Sequence, residues 1–234
     1  LHKNPNNPHF LNNMGISQHK SAHFKEAKNY FQRGLDVAPK HTSILNNLGN
    51  LKKDLNQVAE AIQYYSKSLK IDENILETQL NLANAYNSIG KFEEAKIHFR
   101  KILLINPNYT EAHRIISETT KYDLNNVHFK EMLSRINDKS LSQMQLVHLH
   151  FGVGKAYEDL CDYKNSFANY NKANHYLKIN SKYEIKKDIN KFKIIKDFFS
   201  DYQNISVKKN IKKLIFIVGM PRSGTSLAEQ IISS

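Results

Sequence analysis

Three windows beginning at Pro8, Thr42 and Leu76 carry the same residue types at a spacing of 34 residues, and nothing else in the chain restricts its fold as tightly. In each window an apolar residue and a small one stand together at the seventh and eighth positions: Met14-Gly15, Leu48-Gly49 and Leu82-Ala83. Twelve residues after the small one comes alanine (Ala27, Ala61, Ala95), and four further on an aromatic ring (Phe31, Tyr65, Phe99). Pro39 and Pro107 close the first and third windows, where the second has Asp72-Glu73. Each window reads as two amphipathic helices. The small residues mark where the two approach closely, the aromatic fills the groove toward the next window, and proline stops the second helix.

The pattern resembles the tetratricopeptide repeat, which implies an α-solenoid over residues 8–109. A further first helix is expected at Glu111–Tyr122, but residues 110–146 lack the small-residue marks and read as an irregular helical insert. The frame returns over 147–177, with Gly154 at the small position, Tyr170 as the aromatic and Ser166 in place of alanine. Arrays of this kind present a concave face to a protein or peptide partner. The residues expected to line it are Asn12, Asn46, Asn47, Asn50, Asn81 and Asn84, whose amides can grip an extended backbone or merely occupy exposed positions in an Asn-rich chain. Gly152-Val153-Gly154 follows no strand, so it is not a dinucleotide loop. His148 and His150 point to different faces of a helix and have no partner at ligand spacing, so no metal site is expected there.

Composition narrows the possible roles. The 234 residues are 40% hydrophobic and 24% charged, a mixture suited to compact domains rather than disorder. A single cysteine, Cys161, excludes an internal disulfide, which fits a reducing, cytoplasmic setting. No run approaches the roughly 18 apolar residues of a membrane helix. The net charge of +12 comes from 34 basic against 22 acidic residues, and the basic ones are overwhelmingly lysine. Nucleic-acid recognition leans on arginine, so no nucleic-acid partner is expected. More than half of the excess charge lies in a Lys-rich helical linker, residues 178–211, and its immediate flanks, either as a solvated surface or as a basic approach to an anionic ligand. The chain opens on Leu1 and closes on Ser234 inside an apolar run, so it is expected to be part of a longer protein.

The character changes at residue 212. Lys212 and Lys213 precede LIFIV, residues 214–218, an apolar run expected to form a doubly buried strand. GMPRSGTS, Gly219 to Ser226, follows as a loop, and then LAEQIIS with helical spacing. A tight loop feeding a helix N-terminus converges unpaired N–H groups on an anion. The spacing from Gly219 to Gly224 is that of a Walker A loop, yet Thr225 stands where the triphosphatase lysine would be.

FIVGMPRSGTSL resembles the 5′-phosphosulfate loop of sulfotransferases, matching at Pro221, Arg222, Ser223, Gly224 and Thr225. Repeats, insert, final repeat and loop in this order resemble the bacterial tetratricopeptide-repeat sulfotransferases. That resemblance implies a mainly α solenoid followed, over 212–234, by the truncated start of a P-loop-like α/β domain. It further implies sulfuryl transfer from 3′-phosphoadenosine 5′-phosphosulfate (PAPS) to a hydroxyl or amine, without a metal. Arg222 would neutralise the phosphosulfate, and Pro221, Ser223, Gly224, Thr225 and Ser226 would form the cradle around it. The general base and the 3′-phosphate site are expected after Ser234, since such a domain spans about 100 to 200 residues, so these 234 residues alone are expected to be inactive. Two other readings remain open: a repeat scaffold without catalysis, and a nucleotide kinase or triphosphatase with a degenerate loop.

Overall fold

The computed structural model describes residues 6–181 and 184–200, and every regular element among the described residues is an α-helix. The chain divides into two compact units, residues 1–182 and 183–234. In the first, α1 (Pro8–Lys20) packs on α2 (Phe24–Val37), α3 (Thr42–Asp54) on α4 (Val58–Ile71) and α5 (Leu76–Ser88) on α6 (Phe92–Ile105). Then come α7 (Thr110–Glu118) and α8 (Val127–Arg135), followed by the pair α9 (Gln143–Asp159) and α10 (Tyr163–Asn180).

The small-residue rule has a direct steric basis. A Cβ on Gly15 would lie 2.4 Å from Cε1 of Phe31, and one on Gly49 the same distance from Cε1 of Tyr65. Gly154 stands in the same relation to Tyr170, at 2.9 Å. Each aromatic ring therefore lies flat on the backbone of its own pair's first helix. The rings also reach forward: Phe31 clusters with Ile44, Leu48 and Leu51, and Phe99 with Ala112 and Ile116, which join each pair to the next. A fully buried phenylalanine of this kind contributes about 1.5–3 kcal/mol relative to exposure, as does each buried Leu or Ile packed against it.

The turns inside the pairs are equally regular. Ala22, Asn56 and Gly90, spaced by 34 residues, all adopt left-handed backbone, with φ of 59°, 59° and 75°. Cys161 does the same at 58° between α9 and α10. Each closes the preceding helix by donating its N–H back three residues, to His19, Lys53, Asn87 and Glu158 respectively. The next residue donates back five, as in His23 N to Gln18 O at 2.9 Å and Asp162 N to Tyr157 O at 2.9 Å. These are Schellman caps. The shared device makes α9 and α10 a pair of the same construction as the first three.

The intervening segment departs from that plan. The helix expected over Glu111–Tyr122 stops at Glu118, where Thr120 Oγ1 turns back to donate to Ile116 O at 2.6 Å. Tyr122 N donates to Asp159 Oδ2 at 3.0 Å, which holds the chain extended beside α9. With α8 only nine residues long, α7 packs directly against α9. Gly152 allows that approach, since a Cβ there would come within 2.7 Å of Met132 Sδ and 3.7 Å of His113 O.

The second unit is described through α11 (Ile185–Ser200), on which Ile185, Ile189, Phe192 and Ile195 recur at helical spacing and are exposed. No helix among the described residues is long and apolar enough to cross a membrane.

Candidate peptide-binding groove

The first helices of the regular pairs lie side by side, so equivalent positions of α1, α3 and α5 form rows. Asn12 is the fifth residue of α1, and Asn46 and Asn47 are the fifth and sixth of α3. Position six of one repeat reaches position five of the one before it, 35 residues back. Asn47 Nδ2 donates to Asn12 Oδ1 at 2.9 Å, and Asn81 Nδ2 to Asn46 Oδ1 at 3.0 Å. Asn46 Nδ2 in turn donates to Glu77 Oε1 at 3.0 Å, and Tyr65 donates its hydroxyl proton to Asn50 Oδ1 at 2.7 Å. Burial, with the charges of Asp54 and Glu77 nearby, raises the Tyr65 pKa and keeps the phenol protonated as that donor.

This ladder differs from both readings open in the sequence, each of which took these asparagines as exposed. Asn12 and Asn46 are buried, and of the six asparagines only Asn84 is exposed. Their first task is to lock one repeat to the next at the interface between first helices. Because an amide offers two donor and two acceptor positions, the ladder leaves capacity on Asn12, Asn47 and Asn81 for a further partner.

The amides of Asn12 and Asn47 open into a groove of about 440 Å³ across α1, α3 and α5. Asn12, Asn46 and Asn47 line it together with Thr42, Glu77 and Thr78. Thr78 Oγ1 is buried and, among the described residues, has no hydrogen-bond partner. Asp72, on the approach to α5, adds a second carboxylate, and among the described residues no Lys, Arg or His lines the groove. Glu77, Thr78 and Asp72 were not among the residues expected from sequence. The signal that could have found Glu77 and Thr78 is their position four and three residues before Asn81, on the same face of α5.

The two histidines that the sequence separates onto different faces are indeed engaged on different sides. His148 Nδ1 meets Thr110 Oγ1 of α7 at 3.2 Å, and His150 Nδ1 meets Asn169 Oδ1 of α10 at 2.9 Å. Burial lowers the pKa of both, so they are neutral packing elements at neutral pH. Gly152 and Gly154 lie mid-helix in α9, where each admits a neighbouring side chain. The expected strand at 214–218 and the loop residues Pro221, Arg222, Ser223, Gly224, Thr225 and Ser226 lie outside the described residues.

Tetratricopeptide-repeat family models match residues 8–41, 43–75 and 76–109, so these residues are three tetratricopeptide repeats. Among solved structures the chain resembles a crystal structure of MamA at 20% identity, covering 73% of this chain and 98% of that one with a TM-score of 0.58. A second MamA crystal structure matches at 15% identity over 86% of this chain and 98% of the other, again with a TM-score of 0.58. At such identity the likeness is one of fold. No curated protein matches the chain.

Proposed function

We propose that the repeats act as a protein-interaction scaffold that holds an extended peptide in the groove across α1, α3 and α5. The observation that carries this reading is a groove with spare capacity on the amides of Asn12 and Asn47 and two carboxylates, with no cation lining it among the described residues. Amides and hydroxyls suit the alternating N–H and C=O groups of an extended chain, which need no particular sequence. The carboxylates of Glu77 and Asp72 select among such chains: a peptide bearing lysine or arginine is attracted, and an acidic one is repelled. The test compares two fluorescent peptides of about ten residues, alternating Ser-Lys and alternating Ser-Glu. The Lys peptide is expected to bind more tightly, to protect α3 and α5 amides from hydrogen exchange, and to lose affinity with Glu77→Gln. Equal binding of both, or protection elsewhere, refutes the reading.

A second reading rests on FIVGMPRSGTSL and on the order of repeats, insert, final repeat and loop. In it the same chain belongs to a PAPS-dependent sulfotransferase, with Arg222 as the cation at the phosphosulfate and the repeats presenting or assembling the acceptor. Adenosine 3′,5′-bisphosphate binding that exceeds ATP plus Mg²⁺ and is lost in Arg222→Ala would support it. Preference for ATP plus Mg²⁺ would favour a nucleotide kinase or triphosphatase, and binding of neither would leave the scaffold.

A further inference from the structure

A second cavity, of about 650 Å³, lies between α6 and α8, on helices that do not contribute to the peptide groove. Its walls include the apolar side chains of Leu103 and Val127 and the guanidinium groups of Arg100 and Arg135. Its volume is typical of small-molecule sites.

Behind the wall runs a buried relay. The Tyr122 hydroxyl lies 2.8 Å from His128 Nδ1, and His128 Nε2 lies 2.9 Å from His113 Nδ1. The chain has two possible directions, and chemistry selects one. A phenol is a better donor than acceptor and a neutral imidazole nitrogen a good acceptor, so Tyr122 donates to His128 Nδ1. His128 then carries its proton on Nε2 and donates to His113 Nδ1. The proton of His113 is thereby forced onto Nε2. That nitrogen is buried and among the described residues has no hydrogen-bond partner, and His113, only 2% exposed, lines the cavity. Burial pushes the pKa of both imidazoles down, which keeps them neutral and preserves this order of donors.

An N–H left without an acceptor in the interior costs about 1–3 kcal/mol, and two arginines flank the same space. Arg135 donates one N–H to Asn108 Oδ1 at 3.1 Å, and among the described residues Arg100 forms no ion pair. Among the described residues Glu131 is the one carboxylate on the wall. With two guanidinium groups, one carboxylate and neutral histidines, the lining carries a single net positive charge.

From this we infer that the cavity between α6 and α8 is a binding site for a small organic monoanion, a carboxylate carried on a short branched apolar body. The apolar part would rest on Leu103 and Val127, and the carboxylate would accept from Arg100, Arg135 and, after a small movement of the wall, the orphaned His113 Nε2–H. A monoanion matches the net charge of the lining, which a phosphate dianion exceeds.

The experiment titrates the full chain with 4-methylpentanoate, its neutral amide and inorganic phosphate, following affinity by calorimetry and the site by ¹⁵N imidazole and backbone spectra. The carboxylate is expected to bind more tightly than the amide by about tenfold or more, with shifts centred on His113 and α8. Arg100→Gln and Arg135→Gln, both on the cavity rim, are expected to weaken it by a similar factor while far-UV circular dichroism stays that of the parent. His113→Gln, which keeps a donor, tests the relay separately through its retained carboxylate preference. The inference is overturned if the amide binds as well as the acid, if phosphate binds more tightly, if the shifts map elsewhere, if the arginine variants bind unchanged, or if no probe binds at about 10 mM, a dissociation constant weaker than small-molecule sites of this volume show.

Discussion

Replacing Gly15 by alanine sets two well-known effects against each other, and the structure determines which wins. In an isolated helix the change adds about 1 kcal/mol of stability, because glycine is the poorer helix former. Here the new methyl carbon would sit 2.4 Å, 2.5 Å and 2.9 Å from three atoms of the Phe31 ring, which is fully buried and cannot retreat without disturbing Ile44 and Leu48. Overpacking of this kind costs about 1–3 kcal/mol, and three contacts below 3.0 Å place it at the upper end. The net expectation for Gly15→Ala is a loss of about 1–2 kcal/mol. Phe31→Leu removes the ring atoms that collide, so in that background the same alanine is expected to be neutral or stabilising by up to about 1 kcal/mol. A double-mutant cycle by urea unfolding, with hydrogen exchange of α1 and α2 to localise the effect, reads the coupling directly. If Gly15→Ala stabilises the parent chain, or if the two changes are additive, the steric account of the repeat is wrong.

Other consequences follow from the turns, the buried histidines and the groove. Ala22 and Cys161 hold left-handed φ values that cost an L-residue about 1–2 kcal/mol, so Ala22→Gly and Cys161→Gly should each raise the unfolding midpoint, whereas Gly90→Ala should lower it. His113 and His128, pushed down by burial to about 3 and about 4, bind fewer protons folded than unfolded below pH 6.5. Their contribution is therefore complete above pH 6.5 and is lost as the pH falls toward 4, at up to about 2.7 kcal/mol per pH unit for the two together. Urea titrations at pH 7, 5.5 and 4.5 check this, and His128→Phe should flatten the slope. Asn46→Ala removes both the bond to Asn81 and the bond to Glu77, so it should cost about 1–3 kcal/mol and loosen α5 in hydrogen exchange.

The repeats were legible because they rest on local rules applied three times. A glycine or alanine facing an aromatic ring leaves a residue-type signature at fixed spacing, and the distances of Phe31 and Tyr65 to their glycines are the physical content of that signature. The left-handed turns were hidden by their occupants. Asn56 and Gly90 are the residues such a position favours, but Ala22 and Cys161 are not, so the 34-residue spacing of the turns is visible only in φ. The asparagines were legible as a row, but their bonding to one another was not, since a side chain's partner 35 residues away depends on how neighbouring helices align.

By itself the sequence determined that residues 8–109 are built from helical pairs repeating every 34 residues, because that property is set by the identity of residues close together along the chain. Tertiary structure alone decided the packing of α7 onto α9, the convergence of Glu77 and Thr78 on the amide ladder, and the burial of one orphaned imidazole nitrogen behind the wall of a cavity that two arginines line. Each depends on the placement of helices that are distant in sequence, and hydrogen bonds and steric contacts acting over a few ångströms leave no periodic trace from which that placement can be read.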